Sequence, residues 1–178
     1  LNQPIVIVGL RCAGKSSVGR ALAEALRLPF IDLDDELAAR AGGGRSAGEL
    51  LEELGEAAFR ELESAALADC VARGPLVLAT GGGVVEREEN CERLRGGARV
   101  IWLDASSEAL LERRERDDTA RPLLSGGDPR EELSALGPRR RPLYESLAGA
   151  PVDTTTREVA AIAEELAEGL RNEIDSGD

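Results

Sequence analysis

The stretch Ile5-Val6-Ile7-Val8-Gly9-Leu10-Arg11-Cys12-Ala13-Gly14-Lys15-Ser16-Ser17-Val18 decides the fold. Its first four residues form an unbroken β-branched apolar run, the pattern of a strand buried on both faces. Residues 9–16 then match G-x-x-x-x-G-K-[ST], a glycine-rich loop whose backbone N–H groups and lysine surround phosphate oxygens. From Lys15 to Leu26, Val18, Leu22 and Leu26 share one face of a helix. Strand, loop and helix follow in the order that gives the motif its meaning. The phosphate loop spans residues 9–17, so Gly9, Leu10, Arg11, Cys12, Ala13, Gly14, Lys15, Ser16 and Ser17 are candidate phosphate contacts. Ser16 is the candidate hydroxyl ligand of Mg²⁺. Cys12 reads as a small loop residue, with a reactive thiol near a helix N-terminus as the alternative.

Lys15 is the only lysine in the chain; every other basic residue is arginine. A compact ammonium on a flexible stem reaches phosphate oxygens as a point charge, which a planar guanidinium does not reproduce. The 178 residues suit one domain with a sizeable core. With 22 basic against 34 acidic residues, the net charge is −12, a poor balance for binding nucleic acid or an anionic membrane. No apolar run is long enough to span a bilayer, and no signal peptide is visible. The absence of an initiating methionine leaves room for an upstream domain. Cys12, Cys70 and Cys91 form neither a metal pattern nor a disulfide framework, as expected of a cytoplasmic protein with reduced thiols. Because histidine is absent, acid–base chemistry falls to carboxylates, Lys15, a thiol, Tyr144 or water.

Outward from the loop, apolar runs alternate with helical patterns, which predicts an α/β fold with a parallel sheet. Further short strands are expected at Pro29-Phe30-Ile31, Leu76-Val77-Leu78-Ala79, Val100-Ile101-Trp102-Leu103 and Val152-Asp153. Ser46 and Glu49 form a capping box opening a helix, and residues 57–72 read as a further helix. Gly42-Gly43-Gly44 reads as a loop or hinge. A polar, arginine-rich segment follows the fourth strand, over residues 113–127. Asp128-Pro129 then starts a helix, and residues 155–171 form the last one.

Three groups of residues carry further chemistry. Asp32 and Asp34 follow the second strand, and a strand period of two would point both carboxylates the same way. One would sit by a metal and the other by a substrate hydroxyl; helix capping is the alternative. Asp35 reads as a plain cap or a solvated charge. Arg60 and Glu63 are one helical turn apart, so Glu63 orients the guanidinium, or the two form a weak surface pair. Between residues 113 and 141, eight arginines face six acids, a local positive excess suited to an anionic ligand. Arg121 and Arg140 each lie beside a proline-containing segment that would fix a guanidinium in place.

The phosphate loop, Asp32-x-Asp34, Gly55-Glu56-x-x-Phe59-Arg60-x-x-Glu63, Gly81-Gly82-Gly83, Arg121-Pro122-Leu123-Leu124 and Arg140-x-Pro142-Leu143-Tyr144 occur in that order. The set resembles the shikimate kinase family, within the nucleoside-monophosphate-kinase-like P-loop group. The resemblance implies a three-layer α/β/α P-loop kinase fold with a five-stranded parallel sheet. It implies one domain over residues 1–178, a helical substrate-binding segment at about 33–63 and a mobile lid at about 114–127. ATP and shikimate are the implied partners, with Mg²⁺ as cofactor and the 3-hydroxyl of shikimate as phosphoryl acceptor, in aromatic amino-acid biosynthesis. Lys15, Asp34 and Arg121 take the catalytic places, with Asp34 as the candidate base. Ser16 and Asp32 stand at the metal. Asp34, Arg60, Gly81, Gly82, Gly83 and Arg140 stand at shikimate, and Arg114, Arg121 and Arg157 at ATP. The implied state is a cytoplasmic monomer. Two further readings are a sensor domain of the same fold, fused to a DNA-binding domain, and a kinase for another polyol acid such as gluconate.

Overall fold

In a computed structural model, which describes residues 2–41, 43–116 and 128–176, the opening apolar run is strand β1, Ile5–Val8, and all four side chains are fully buried. The chain continues through α1 (Lys15–Leu26), β2 (Phe30–Asp32), α2 (Leu33–Ala41), α3 (Ala47–Ala72) and β3 (Val77–Ala79). A 3-10 turn (Val84–Glu86), α4 (Glu88–Gly97), β4 (Arg99–Asp104), α5 (Ser107–Glu115), α6 (Pro129–Ala148), β5 (Val152–Asp153) and α7 (Val159–Ser176) follow.

The five strands are all parallel, in the order β2-β3-β1-β4-β5. β1 lies at the centre, hydrogen-bonded to β3 on one side and β4 on the other; helices cover both faces of a parallel sheet, which is why its residues have no polar face. Helices α1 and α7 pack on each other, while α4 contacts α3, α6 and β4. This is the expected three-layer arrangement. Gly19 lets α1 approach closely: a Cβ there would lie 2.8 Å from the Phe30 ring and 3.2 Å from Ile7. With β2 and β3 on one side of β1, and β4 and β5 on the other, the winding reverses at β1. Open parallel sheets bind ligands in the crevice beyond the strand ends at such a reversal.

Several sequence expectations are corrected. Asp32 ends β2 and Leu33 already begins α2, so Asp32 and Asp34 do not alternate along one strand. Asp32 Oδ1 instead accepts from the Asp34 backbone N–H at 3.0 Å, so Asp32 rather than Asp35 caps the helix. The expected helix over residues 57–72 is the second half of α3, which bends at Gly55. Arg113 and Arg114, the start of the arginine-rich segment, lie in the last turn of α5, which the sequence reading did not assign. Arg140 lies within α6, between Pro138 and Pro142. Helix α7 starts four residues later than expected and reaches Ser176. Gly43 and Gly44 adopt positive φ between α2 and α3, while Gly42 lies outside the described residues, as do Arg121 and most of the expected lid. Among the described residues, no helix is long and apolar enough to cross a membrane.

Candidate active site

The loop after β1 owes its shape to two glycines. A Cβ on Gly9 would lie 2.2 Å from the Leu103 carbonyl oxygen of the neighbouring strand. Gly14, at φ 90°, precedes α1 and gives it no side-chain cap, so backbone N–H groups of the first turn face the loop. Cys12 holds φ 63°, a left-handed conformation unusual outside glycine. It is held by Arg113 of α5: Arg113 Nη1 donates to the Cys12 carbonyl at 3.2 Å and to Thr154 Oγ1, just after β5, at 3.0 Å. Thr154 Oγ1 in turn donates to the Ala13 carbonyl at 3.1 Å. Nothing in the spacing of Arg113 or Thr154 marks these contacts in the sequence.

Lys15 is buried, and its Nζ donates to the Leu10 carbonyl at 2.7 Å, which keeps the ammonium inside the loop. Ser16 Oγ donates to Asp32 Oδ2 at 2.6 Å. Burial pushes the Asp32 carboxyl above the ordinary carboxylate range, the Ser16 hydrogen bond opposes that, and the nearby Asp34 charge adds to it. A hydroxyl and a carboxylate side by side at a phosphate loop are the hard oxygen donors magnesium takes. Magnesium draws its remaining ligands from phosphate oxygens and water, so two protein oxygens suffice.

A cavity of about 720 Å³ opens from this loop along the carboxyl ends of β1 and β3. That volume suits small-molecule ligands. Leu10, Arg11, Cys12, Gly14, Lys15, Ser16 and Ser17 line one end; Asp34, Arg60, Glu63, Gly81, Gly82, Gly83 and Arg140 line the other. The three glycines are the floor against which the charged groups pack. A Cβ on Gly81 would lie 2.9 Å from Glu63 Oε1 and 3.6 Å from Asp34 Oδ1. One on Gly82 would lie 3.3 Å from the Gly9 carbonyl and 3.4 Å from Arg140 Nη1. One on Gly83 would lie 2.3 Å from Arg60 Nη2. The floor is pinned from α6, where the fully buried Tyr144 hydroxyl donates to the Gly82 carbonyl at 2.5 Å. Burial raises the tyrosine pKa well above its ordinary value, so it stays a donor.

Arg60 Nη1 donates to Glu63 Oε2 at 2.8 Å, and Glu63 is only 1 % exposed, which excludes the weak surface pair. Burial raises the Glu63 carboxyl, with the Arg60 charge opposing. Arg140 Nη2 donates to Glu86 Oε2 at 2.7 Å, and the same oxygen lies 3.6 Å from Arg60 Nη2. Two guanidiniums thus converge on one wall, linked by a carboxylate the sequence analysis did not single out. Arg140 Nε is buried with no acceptor among the described residues, and such an orphan calls for a partner.

Arg114 lines the cavity and pairs with Glu132 at 2.6 Å. Arg157 pairs with Glu165 and is not among the lining residues. Arg121 lies outside the described residues.

The sequence model of the shikimate kinase family matches residues 11–171. The chain is 46 % identical to the shikimate kinase of Bordetella pertussis over 165 residues, covering 93 % of this chain and 77 % of that one. It is 42 % identical to that of Symbiobacterium thermophilum over 174 residues, covering 97 % and 99 %. Among solved structures, shikimate kinase from Acinetobacter baumannii in complex with shikimate superposes with a TM-score of 0.83 at 36 % identity, covering 99 % of this chain and 95 % of that one.

Proposed function

The chain belongs to the shikimate kinase family, and from that premise we propose that it transfers the γ-phosphoryl group of ATP to the 3-hydroxyl of shikimate, giving shikimate 3-phosphate and ADP. One observation carries the reading: Asp34, Arg60 and Arg140 meet on the Gly81–Gly83 floor, in the same cavity as the phosphate loop. A planar carboxylate is the natural ligand of forked guanidiniums, and an aspartate that of vicinal hydroxyls. Shikimate offers both on one ring.

In this reading the loop amides and Lys15 hold the phosphates, and Lys15 exchanges its Leu10 carbonyl for phosphate oxygens. Ser16 and Asp32 hold Mg²⁺, which when bound neutralises charge on the phosphates. Arg60 and Arg140, which both line the cavity, take the shikimate carboxylate. The ring is thereby turned so that Asp34 meets the attacking hydroxyl. Asp34 takes the hydroxyl proton as the new O–P bond forms and the bond to the β-phosphate oxygen breaks. The transition state is loose, so a carboxylate is base enough, and catalysis comes from positioning and charge. Arg121 is proposed as a further cation at the transferring group, within a lid at about 114–127 that excludes water. Arg114 and Arg157 are proposed beside the nucleotide base. Residues 33–63 are proposed as the substrate-binding segment of a single domain. The three free cysteines suit work in the cytoplasm, and a monomer is proposed by resemblance to the family alone.

The test is ATP-dependent phosphorylation of shikimate, run beside gluconate and a nucleoside monophosphate. Turnover is expected with shikimate alone. ATP binding without shikimate turnover overturns the reading.

A further inference from the structure

Glu86 takes no direct part in phosphoryl transfer, yet it touches both guanidiniums of the cavity wall. It ends the 3-10 turn that follows the glycine floor. That turn is fixed by α4: Asn90 Nδ2 donates to the Val84 carbonyl at 2.9 Å, and Cys91 Sγ to the Val85 carbonyl at 3.2 Å. Both donors are fully buried, so the backbone carrying Glu86 has little freedom. Glu86 Oε2 accepts from Arg140 Nη2 at 2.7 Å and lies 3.6 Å from Arg60 Nη2, while Oε1 accepts from Arg139 Nη2 at 3.1 Å.

The direction of approach matters. Arg60 and Arg140 line the cavity and Glu86 does not, so the carboxylate grips them from outside the space a ligand would fill. Two buried guanidiniums facing one cavity repel each other, and each has several rotatable bonds by which to turn away. A carboxylate between them offsets the repulsion and fixes their relative orientation. Glu63 hydrogen-bonds Arg60, through Nη1, and acts on Arg140 only through its charge. Among the described residues, Glu86 is the one whose carboxylate contacts both guanidiniums.

We propose that Glu86 is a positioning residue for the substrate carboxylate, holding Arg60 and Arg140 in one relative orientation before the substrate arrives. The proposal rests on the shikimate reading above. Orientation before binding lowers the ordering cost of association, so the effect belongs in substrate affinity rather than in the chemical step.

The experiment compares the wild type with Glu86→Ala, Glu86→Gln and Arg139→Ala. It measures shikimate affinity by titration calorimetry, together with kcat and the KM values for shikimate and ATP. Glu86→Ala is expected to weaken shikimate binding and raise its KM about tenfold, as loss of charge-assisted hydrogen bonds should. Glu86→Gln, which keeps one acceptor oxygen at the same place, is expected to recover part of that loss. The KM for ATP and kcat should stay within about twofold of wild type, which a loss of folding would not allow. Arg139→Ala should leave shikimate affinity within about twofold, since that side chain is exposed and its ion pair correspondingly weak. Unchanged or tighter shikimate binding in Glu86→Ala overturns the proposal, and tighter binding would make Glu86 a competitor of the substrate. Equal rises in both KM values, or a loss in Arg139→Ala as large as in Glu86→Ala, also overturn it. Shikimate that neither binds to nor is turned over by the wild type overturns the functional reading as well, so the two failures are distinguishable.

Discussion

Lys15 stands alone among basic residues that are otherwise all arginine, and its surroundings explain what a lysine does there. The ammonium is buried inside the loop, where it donates to the Leu10 carbonyl. Lys15→Arg keeps the charge but replaces the compact ammonium with a bulkier planar group that does not reach phosphate oxygens as a point charge. It is expected to lower kcat on the order of 10²–10³, as loss of one preorganised charge-stabilising donor does. Activity within tenfold of wild type in a steady-state assay would sink the argument from shape. Asp34 is tested differently. Asp34→Asn keeps the volume but removes the proton acceptor, so turnover should fall at least about 10² while ATP binding stays within about twofold. Equal loss of both would make the residue structural. The type and spacing of Lys15, Ser16, Arg60 and Arg140 are legible in the sequence. Glu86 and Arg113 are not, because each acts on residues 26 or more positions away, across an interface no local pattern encodes.

At the scale of elements, α3 shows what a local pattern carries and what it leaves out. The capping box is present as the spacing implies: Glu49 N donates to Ser46 Oγ at 3.3 Å, and Ser46 N to Glu49 Oε2 at 2.7 Å. The bend at Gly55, φ 77° and ψ 162°, leaves no trace in apolar periodicity. It lets the first half of the helix line the cavity with Ala47, Gly48 and Leu51, while the second half brings Phe59, Arg60 and Glu63 to the floor. A Cβ at Gly55 would meet nothing within 4 Å, so only the backbone conformation demands glycine. Gly55→Ala is expected to cost about 1–3 kcal/mol of stability, the usual cost of a glycine-only conformation. Urea unfolding checks this, and an unshifted midpoint would mean the two halves can join without the bend. The junction of β2 and α2 shows the opposite failure. Three strand residues are too few to establish a period, so the alternation assigned to Asp32 and Asp34 had no basis beyond the strand's end.

Across the whole molecule, the buried Glu63 carboxyl contributes a pH dependence of stability. Burial raises the Glu63 carboxyl, so the folded state favours its protonated form more than the unfolded state does. The stability from that preference is present below the unfolded glutamate value, about 4.3, and is lost as pH climbs through the raised folded value. Wild type should therefore lose stability relative to Glu63→Gln as pH rises from about 4.3 upward. Urea unfolding of both proteins across that range measures the difference, and a difference moving the other way would show that the Arg60 charge outweighs burial. The sequence by itself determined the parallel α/β sheet, the phosphate loop and the family, because each is written in contiguous residues: a buried strand must be apolar throughout, and a phosphate loop must be glycine-rich. Only the tertiary structure decided that Asp32 both caps a helix and accepts from Ser16, that Gly83 is glycine because Arg60 lies against it, and that Glu86 joins the two arginines of the wall. The reason is physical. Those facts concern which charged groups share one desolvated space, and that is fixed by how helices pack on the sheet, not by the order of residues along any one of them.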